Sequence, residues 1–182
     1  MGAEAGATSS IFPSDERTKT YFAQQGRPDD YIPFSADPDA VYDQTLTLDL
    51  SQIVSMVAKP HSPDNVVPVS EVAGIKVDQV AIGSCTNSSY SDMMKVAMIL
   101  KGKEVHPDVS LVITPGSANI LRLLAENGAL ADMVSAGARI LESGCGPCIG
   151  MGQAPKTDGV SLRTFNRNFL GRSGTQSAQV YI

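Results

Sequence analysis

The sequence predicts an α/β protein with a mostly parallel sheet and helices on both faces, in a three-layer arrangement. Short apolar runs alternate with segments of helical periodicity from residue 75 onward, as at 77–82 followed by 89–100 and at 109–113 followed by 118–127. Each apolar run ends in a turn rich in glycine and polar residues, where ligands bind in sheets of this class.

The first 68 residues are predicted to be an N-terminal segment and linker, followed by an α/β domain over residues 69–182. A helix is expected over 14–25, with Ser14 as its cap and Gly26 just beyond its end. Stretches rich in proline and aspartate follow, and an alternation of Leu46, Leu48 and Leu50 predicts one strand among them. Three prolines within residues 59–69 indicate the linker.

Four strands of the second domain are each expected to end in a turn that carries polar side chains. The predicted strands are 77–82, 109–113, 139–141 and 161–165, with a last strand-like run near 178–182; a short helix is expected over 130–135. Because the carboxyl ends of parallel strands share one edge of the sheet, these turns should meet there. Cys85 should therefore lie near Cys145 and Cys148, far from it in sequence.

Composition and charge exclude several classes of protein. At 182 residues, 42% hydrophobic and 18% charged, the chain can bury the core of an ordinary domain. The net charge of −5 and the lack of a Lys/Arg cluster argue against a nucleic-acid partner. No apolar run approaches the roughly 20 residues of a membrane span, and the first residues lack a secretory pattern. A cytoplasmic protein without a membrane partner is therefore predicted.

The three cysteines leave four interpretations open. A Cys-Gly-Pro-Cys sequence also occurs in redox dithiols, but the glycines and the proline after it disfavour the helix that such a site uses. A zinc site needs a fourth ligand, and His61 and His106 lie beside prolines in predicted loops. Three unrelated thiols would not explain why all of them occupy glycine-rich turns after strands.

The fourth interpretation is an iron-sulfur cluster bound by Cys85, Cys145 and Cys148. A [4Fe-4S] cluster with three protein thiolates has one iron that can bind water or a substrate oxygen as a Lewis acid. Flanking glycines let the backbone approach a cluster and direct N–H groups toward it. Four polar residues of these turns are predicted first as turn formers: Ser84, Thr86, Asn87 and Ser143.

Three motifs together resemble those of the aconitase family of iron-sulfur hydro-lyases. They are GSCTN at 83–87, CGPCIG at 145–150 and NRNFLGR at 166–172, in the family's order and at similar spacing. The N-terminal GATSSIFP, at 6–13, favours the bacterial type of aconitate hydratase within that family. The resemblance covers most of the chain and is weakest over 27–59. It implies an internal piece of a longer enzyme, from the end of its second domain through most of its third.

The resemblance implies roles for individual residues. Cys85, Cys145 and Cys148 would bind a [4Fe-4S] cluster; the substrate carboxylates would be bound by Arg167 and Arg172, with Asn166 beside them. Guanidinium groups suit this role because they form bidentate, charge-assisted bonds to carboxylates. Glu4 matches an acidic residue that supports an active-site histidine on another domain, or else is a solvated glutamate near the terminus. No catalytic residue is assigned in this chain.

The implied reaction is the isomerisation of citrate to isocitrate through cis-aconitate, a step of the tricarboxylic acid cycle with a small tricarboxylate substrate. The catalytic base would lie on the remaining domains of the full-length enzyme, so the isolated chain is expected to be inactive. Two alternatives stay open. The chain would otherwise be part of the large subunit of a 3-isopropylmalate or homoaconitate dehydratase, or have a cluster-free RNA-binding role.

Overall fold

A five-stranded parallel sheet organises the larger of the two units of this chain. The computed structural model describes residues 6–182, and contacts divide the chain into Met1–Ile53 and Val54–Ile182. The strands, all in the second unit, are β1 (Met56–Ala58), β2 (Val66–Pro68), β3 (Gln79–Ile82), β4 (Ser110–Ile113), β5 (Arg139–Ile140), β6 (Val160–Arg163) and β7 (Gln179–Tyr181). Strands β1 and β2 form an antiparallel pair, and the others form the parallel sheet in the order β5-β4-β3-β6-β7.

Three helices cover one face of this sheet. They are α2 (Tyr90–Leu100), α3 (Ala118–Glu126) and α4 (Ala129–Ser135), whereas α1 (Glu16–Gln24) belongs to the first unit. Leu111 and Ile113 of β4 pack against the helices in a core that includes Met93, Leu124 and Met133. The predicted α/β class with a mostly parallel sheet is confirmed. Within residues 6–182, no helix combines the length and apolar character that crossing a membrane requires.

The opposite face of the sheet carries a smaller core that includes one of the three cysteines. Ala81 of β3 and Val112 of β4 point to this face because side chains alternate along a strand. They pack against Cys148 and Phe165, each of which is almost fully buried. The turn that follows β5 is therefore anchored to the sheet through its second cysteine.

Helix α1 begins one residue later than its predicted cap requires. Asp15, not Ser14, is the N-cap: its carboxylate accepts a hydrogen bond from the Thr18 amide at 2.9 Å. The Ser14 hydroxyl instead accepts from the Phe34 amide at 2.7 Å, which ties the start of the helix to the following loop. A carboxylate is the stronger acceptor near a helix N-terminus, where the helix dipole favours negative charge.

The strand predicted from alternating leucines is wrong. Leu46 and Leu48 lie in irregular backbone, and Leu50 begins a 3-10 turn, Leu50–Gln52. All three side chains are exposed. Alternation selects residues that suit one buried face, but a strand also needs a neighbour to pair with, and none pairs with this segment within residues 6–182.

Residues 54–68 belong by their contacts to the second unit. The amide of Ala58 donates to the carbonyl of Ile182 at 2.6 Å, and the Ile182 amide donates back to Ala58 at 3.0 Å. This reciprocal pair of hydrogen bonds joins the end of β1 to Ile182. The boundary between the two units, at Ile53/Val54, therefore lies before the predicted linker at 59–69 and not after it. The boundary at 68/69 stays a prediction about the domains of the whole protein.

Asp78 joins the starts of β3 and β6, and its replacement is expected to lower stability in a pH-dependent way. Its carboxylate accepts from the Val160 amide at 2.8 Å and pairs with Lys156 at 2.6 Å. Hydrogen bonding from Lys156 and then from Val160 lowers the pKa of Asp78. A depressed carboxyl pKa adds stability above the unfolded-state value of about 3.9, and this stability is lost as pH falls through the folded-state pKa.

We therefore expect Asp78→Asn to lower the urea midpoint at pH 7, with the difference from the parent shrinking as the pH falls below about 4. Asp108→Asn, at an exposed aspartate in the loop before β4, is the matched control and should leave the midpoint within error. Equal midpoints for Asp78→Asn and the parent at pH 7 would contradict the prediction.

Candidate iron-sulfur site

The turns after β3 and β6 are joined by hydrogen bonds at the carboxyl edge of the sheet. Thr86 donates through its hydroxyl to the side-chain oxygen of Asn166 at 2.9 Å. The side chain of Asn87 donates to the carbonyl of Thr164 at 2.6 Å. The GSCTN and NRNFLGR motifs therefore form one connected surface, although about 80 residues separate them in the chain.

The turns after β3 and β4 also contact each other closely. The Gly116 amide donates to the Ser88 carbonyl at 3.1 Å. Gly83 has a positive φ of 74°, and a Cβ atom there would overlap the carbonyl oxygen of Thr114. Only glycine fits this conformation and this approach without strain. The turn after β4, TPGS at 114–117, thus supports the turn that carries Cys85.

The three cysteines lie together at this edge. The sulfur atoms of Cys85 and Cys145 are 3.9 Å apart, and the Cys145 thiol also interacts with that of Cys148. Cys85 and Cys145 are exposed, whereas Cys148 is buried, and none forms a disulfide. The structure therefore brings together the thiols that strand order alone predicted to meet.

The neighbouring thiols make the Cys145 thiol hard to ionise. The hydrogen bond and charge interaction with Cys148, followed by those with Cys85, raise the pKa of Cys145 to about 11. A bound metal centre would supply positive charge, and its binding would release protons.

The turn between β5 and Met151 carries two of these thiols around a short 3-10 helix, Gly146–Ile149: Cys145 is its N-cap, and Cys148 lies within it. Pro147 stands in its first turn, and Gly150 ends it in the left-handed region with a φ of 84°. The Met151 amide closes the loop by donating to the carbonyl of Gly146 at 2.9 Å. No α-helix follows the cysteine pair here, so the helix N-terminus that activates a redox dithiol is absent from this turn.

The donors that this edge offers to a metal centre are three cysteine thiols. Among residues 6–182, no three His, Cys, Asp or Glu side chains are arranged around one metal position. Iron-sulfur clusters are bound by cysteine thiolates, so three convergent cysteines are chemically suited to such a group. The Ser143 hydroxyl, two residues before Cys145, is buried and has no hydrogen-bond partner within the described residues. A bound species or a water molecule could accept or donate the missing hydrogen bond there.

The residues expected to bind substrate lie on the loop after β6. Asn166 and Arg167 are exposed, and Arg172 is half-buried. The Arg172 guanidinium donates to the Cys148 carbonyl at 3.4 Å and lies over the Phe169 ring at 5.5 Å. In this conformation Arg172 supports the cysteine turn, and the substrate-binding role of all three residues stays a prediction. Glu4 lies outside the described residues.

Three further residues shape the site although the sequence pattern did not single them out. The Thr164 hydroxyl accepts from the Gly83 amide at 2.9 Å, and the Ser173 hydroxyl donates to the Cys148 carbonyl at 3.2 Å. Arg163 donates to the carbonyl of Pro147 at 2.8 Å. The sequence did contain one signal for Arg163. In the predicted strand SLRTF, at 161–165, this charged residue lies at a position whose side chain should point into the protein.

Comparison with known proteins decides the family. The sequence model of the aconitase family (aconitate hydratase) matches residues 1–74 and 70–182. This chain belongs to the aconitase family. The two matched ranges together extend from the first residue to the last, beyond the three motifs that carry the cysteines.

Relatives within the aconitase family narrow the comparison further. A 3-isopropylmalate dehydratase large subunit from Archaeoglobus fulgidus is 42% identical over 183 residues, covering 100% of this chain and 44% of its own length. The corresponding subunits from Methanopyrus kandleri and Moorella thermoacetica are each 44% identical and cover 100% of this chain, with 44% and 43% of their own lengths matched. The chain thus spans less than half the length of these relatives.

These relatives favour the alternative substrate over the one expected first. All three are named for 3-isopropylmalate, not for citrate, so they do not support the assignment to aconitate hydratase and the tricarboxylic acid cycle. The N-terminal GATSSIFP did not separate the two groups, because 3-isopropylmalate dehydratase subunits align across it as well.

Proposed function

We propose that this chain is the cluster-binding part of a 3-isopropylmalate dehydratase large subunit. The observation that carries the proposal is the meeting of Cys85, Cys145 and Cys148 at one sheet edge, in a chain whose full length aligns with such subunits. The enzyme would reversibly remove water from a hydroxy-dicarboxylate. The net charge of −5 does not favour the RNA-binding alternative.

The three cysteines would bind a [4Fe-4S] cluster through their thiolates at the carboxyl edge of the sheet. Bound there, the cluster would supply Lewis-acid chemistry toward a substrate hydroxyl at the iron that lacks a protein thiolate. Two exposed cysteines and one buried cysteine suit this arrangement, because the buried thiol anchors the site to the core while the exposed side faces substrate.

Residues on the loop after β6 would bind and orient the substrate. Arg167 and Arg172 would form charge-assisted bonds to its two carboxylates, and the amide of Asn166 would hold its position beside the cluster. Thr86 donates to Asn166 and so fixes the orientation of that amide relative to the turn that carries Cys85. Correct placement of the reacting carbon relative to the base is the main contribution of such contacts.

The whole protein would supply what these residues lack. The base that removes a proton from the substrate would lie outside this chain, so the 182 residues alone are expected to be inactive. Because the relatives are named as large subunits, we infer that a smaller subunit completes the enzyme. We also infer that the assembled enzyme works in the cytoplasm.

Substrate preference tests the proposal directly. The whole protein with its small subunit, reconstituted anaerobically with iron and sulfide, is expected to use 3-isopropylmalate with a kcat/KM about 100-fold or more above that for citrate. A pocket formed for an apolar branch would have to bury the extra carboxylate of citrate unpaired. Homocitrate and homoaconitate are assayed in parallel. Preference for citrate, or for either homologous acid, would overturn the substrate assignment while leaving the cluster assignment intact.

A further inference from the structure

Arg163 is a buried cation in the wall of the cluster site. It is the last residue of β6 and is 4% exposed. Its guanidinium lies 5.0 Å from the centre of the Phe165 ring, on the face of the sheet that also packs against Cys148. Charged side chains are rarely buried in this way unless an opposite charge or a bound ion compensates them.

The contacts of Arg163 are all with neutral acceptors. Its Nε donates to the Ser161 hydroxyl at 3.0 Å, and Nη1 donates to the Pro147 carbonyl at 2.8 Å. Nη2 donates to the Gln79 side-chain oxygen at 2.7 Å and to the Gln153 carbonyl at 3.3 Å. Across residues 6–182, no carboxylate lies within ion-pair distance of this guanidinium. Burial lowers the pKa of Arg163 to about 10, so the group is still charged at neutral pH.

A second guanidinium holds the adjacent carbonyl of the same turn. Arg163 binds the carbonyl of Pro147, and Arg172 binds that of Cys148. The two cations repel each other, whereas interaction with Cys148 favours the charged form of Arg163. Two cations facing one short turn are destabilising unless negative charge is present there. Thiolates that bind a metal centre would place such negative charge at this turn.

We propose that Arg163 is a positioning residue that offsets the negative charge of the bound cluster and thereby raises its reduction potential. This inference rests on the proposed function, because it needs a cluster at Cys85, Cys145 and Cys148. Three thiolates bring more negative charge than an oxidised [4Fe-4S] core neutralises, and reduction adds one more. A buried cation next to the ligand turn stabilises the more negative, reduced form, and the low local dielectric strengthens this effect.

The test measures the midpoint potential of the cluster in the reconstituted whole protein, by EPR-monitored titration with dithionite. Arg163→Gln removes the charge and keeps a hydrogen-bonding amide. It is expected to shift the equilibrium between reduced and oxidised cluster at least about tenfold toward the oxidised form, or about 59 mV more negative for a one-electron couple. Arg163→Lys keeps the charge without the planar fork and is expected to stay near the parent potential.

The matched control is Arg139→Gln. Arg139 is exposed and also holds the segment after the cysteine pair, donating to the Gly152 carbonyl at 3.0 Å and to the Gln153 side chain at 2.9 Å. Replacing Arg139 removes one positive charge and two hydrogen bonds, but the charge is exposed to water, so the midpoint potential of the cluster should not change. Iron and sulfide content is measured for each variant.

The outcomes separate charge from tethering. A cluster lost from Arg163→Gln but retained by Arg163→Lys would support the proposal, as would the expected negative shift. A parent-like potential in Arg163→Gln would overturn it, and so would equal loss or equal shift in both variants, because a purely structural tether would then suffice. If the parent itself forms no cluster, the proposed function fails and this inference fails with it.

Discussion

Replacing Cys85 with serine is expected to prevent binding of the proposed iron-sulfur cluster and to reduce the proposed dehydratase activity of the whole protein to background. The Cys85 sulfur lies 3.9 Å from that of Cys145, 60 residues away in sequence, so the site depends on a ligand from a separate strand. Serine does not supply a thiolate, the form of cysteine that binds metals. The loss should exceed the roughly 10- to 100-fold reductions that follow removal of outer-shell partners. Iron and sulfide analysis after anaerobic reconstitution, with EPR, measures it.

Met98→Ser is the control for this substitution. Met98 is 73% exposed on α2, so a serine there should leave both the fold and the cluster unchanged. Circular dichroism of Cys85→Ser should match the parent without metal, which separates loss of a ligand from loss of structure. A full complement of iron and an unaltered EPR signal in Cys85→Ser would show that Cys145 and Cys148 act without Cys85.

Replacing Gly150 with alanine is expected to destabilise the fold by about 3 kcal/mol and to weaken cluster retention. Gly150 has a φ of +84°, which costs a residue with a Cβ roughly 1–2 kcal/mol. The new Cβ would also overlap the Ser173 carbonyl oxygen and lie 2.9 Å from its carbon, and overpacking costs about 1–3 kcal/mol. Because these neighbours are backbone atoms, the cysteine turn must move away from the loop that carries Arg172. Urea unfolding measures the first effect and iron content the second.

Gly102→Ala separates the two contributions. Gly102 has a similar φ of +68°, but a Cβ there would have no atom within 4 Å. We expect this variant to show only the conformational part of the loss, about 1–2 kcal/mol, with normal cluster content. Equal destabilisation of the two variants would show that the approach of Ser173 to Gly150 is unimportant.

Local sequence patterns predicted the sheet well because the residues at the ends of each helix and strand mark where that element begins or ends. The hydroxyl of Ser89 accepts a hydrogen bond from the Asp92 amide at the start of α2, and Ser117 caps α3 in the same way, so polar turns that end strands also begin helices. Regular alternation of such units leaves few possible sheet orders. The meeting of distant cysteines followed from this regularity rather than from any feature of the cysteines themselves.

Features that depend on distant partners could not be predicted in this way. Leucine alternation at 46–50 indicated a strand, but no local pattern shows whether a neighbour exists to pair with it. The pairing of Ala58 with Ile182 joins the two ends of the second unit and moved the contact boundary to Val54. The neutral contacts of Arg163 come from three segments, so its burial was visible only in the structure. Substrate choice was not decided because motifs around a cluster are shared by enzymes that act on different acids.

The position of β3 in the centre of the sheet affects how the protein is made. One neighbour, β4, follows closely in the chain, whereas the Val160 amide that bonds to Asp78 is 82 residues away. At typical rates of synthesis, that interval takes the ribosome roughly 4–16 s. During this time β3 has an unpaired edge, and unpaired strand edges promote aggregation. Aggregation during synthesis is therefore most favoured in the seconds before β6 emerges.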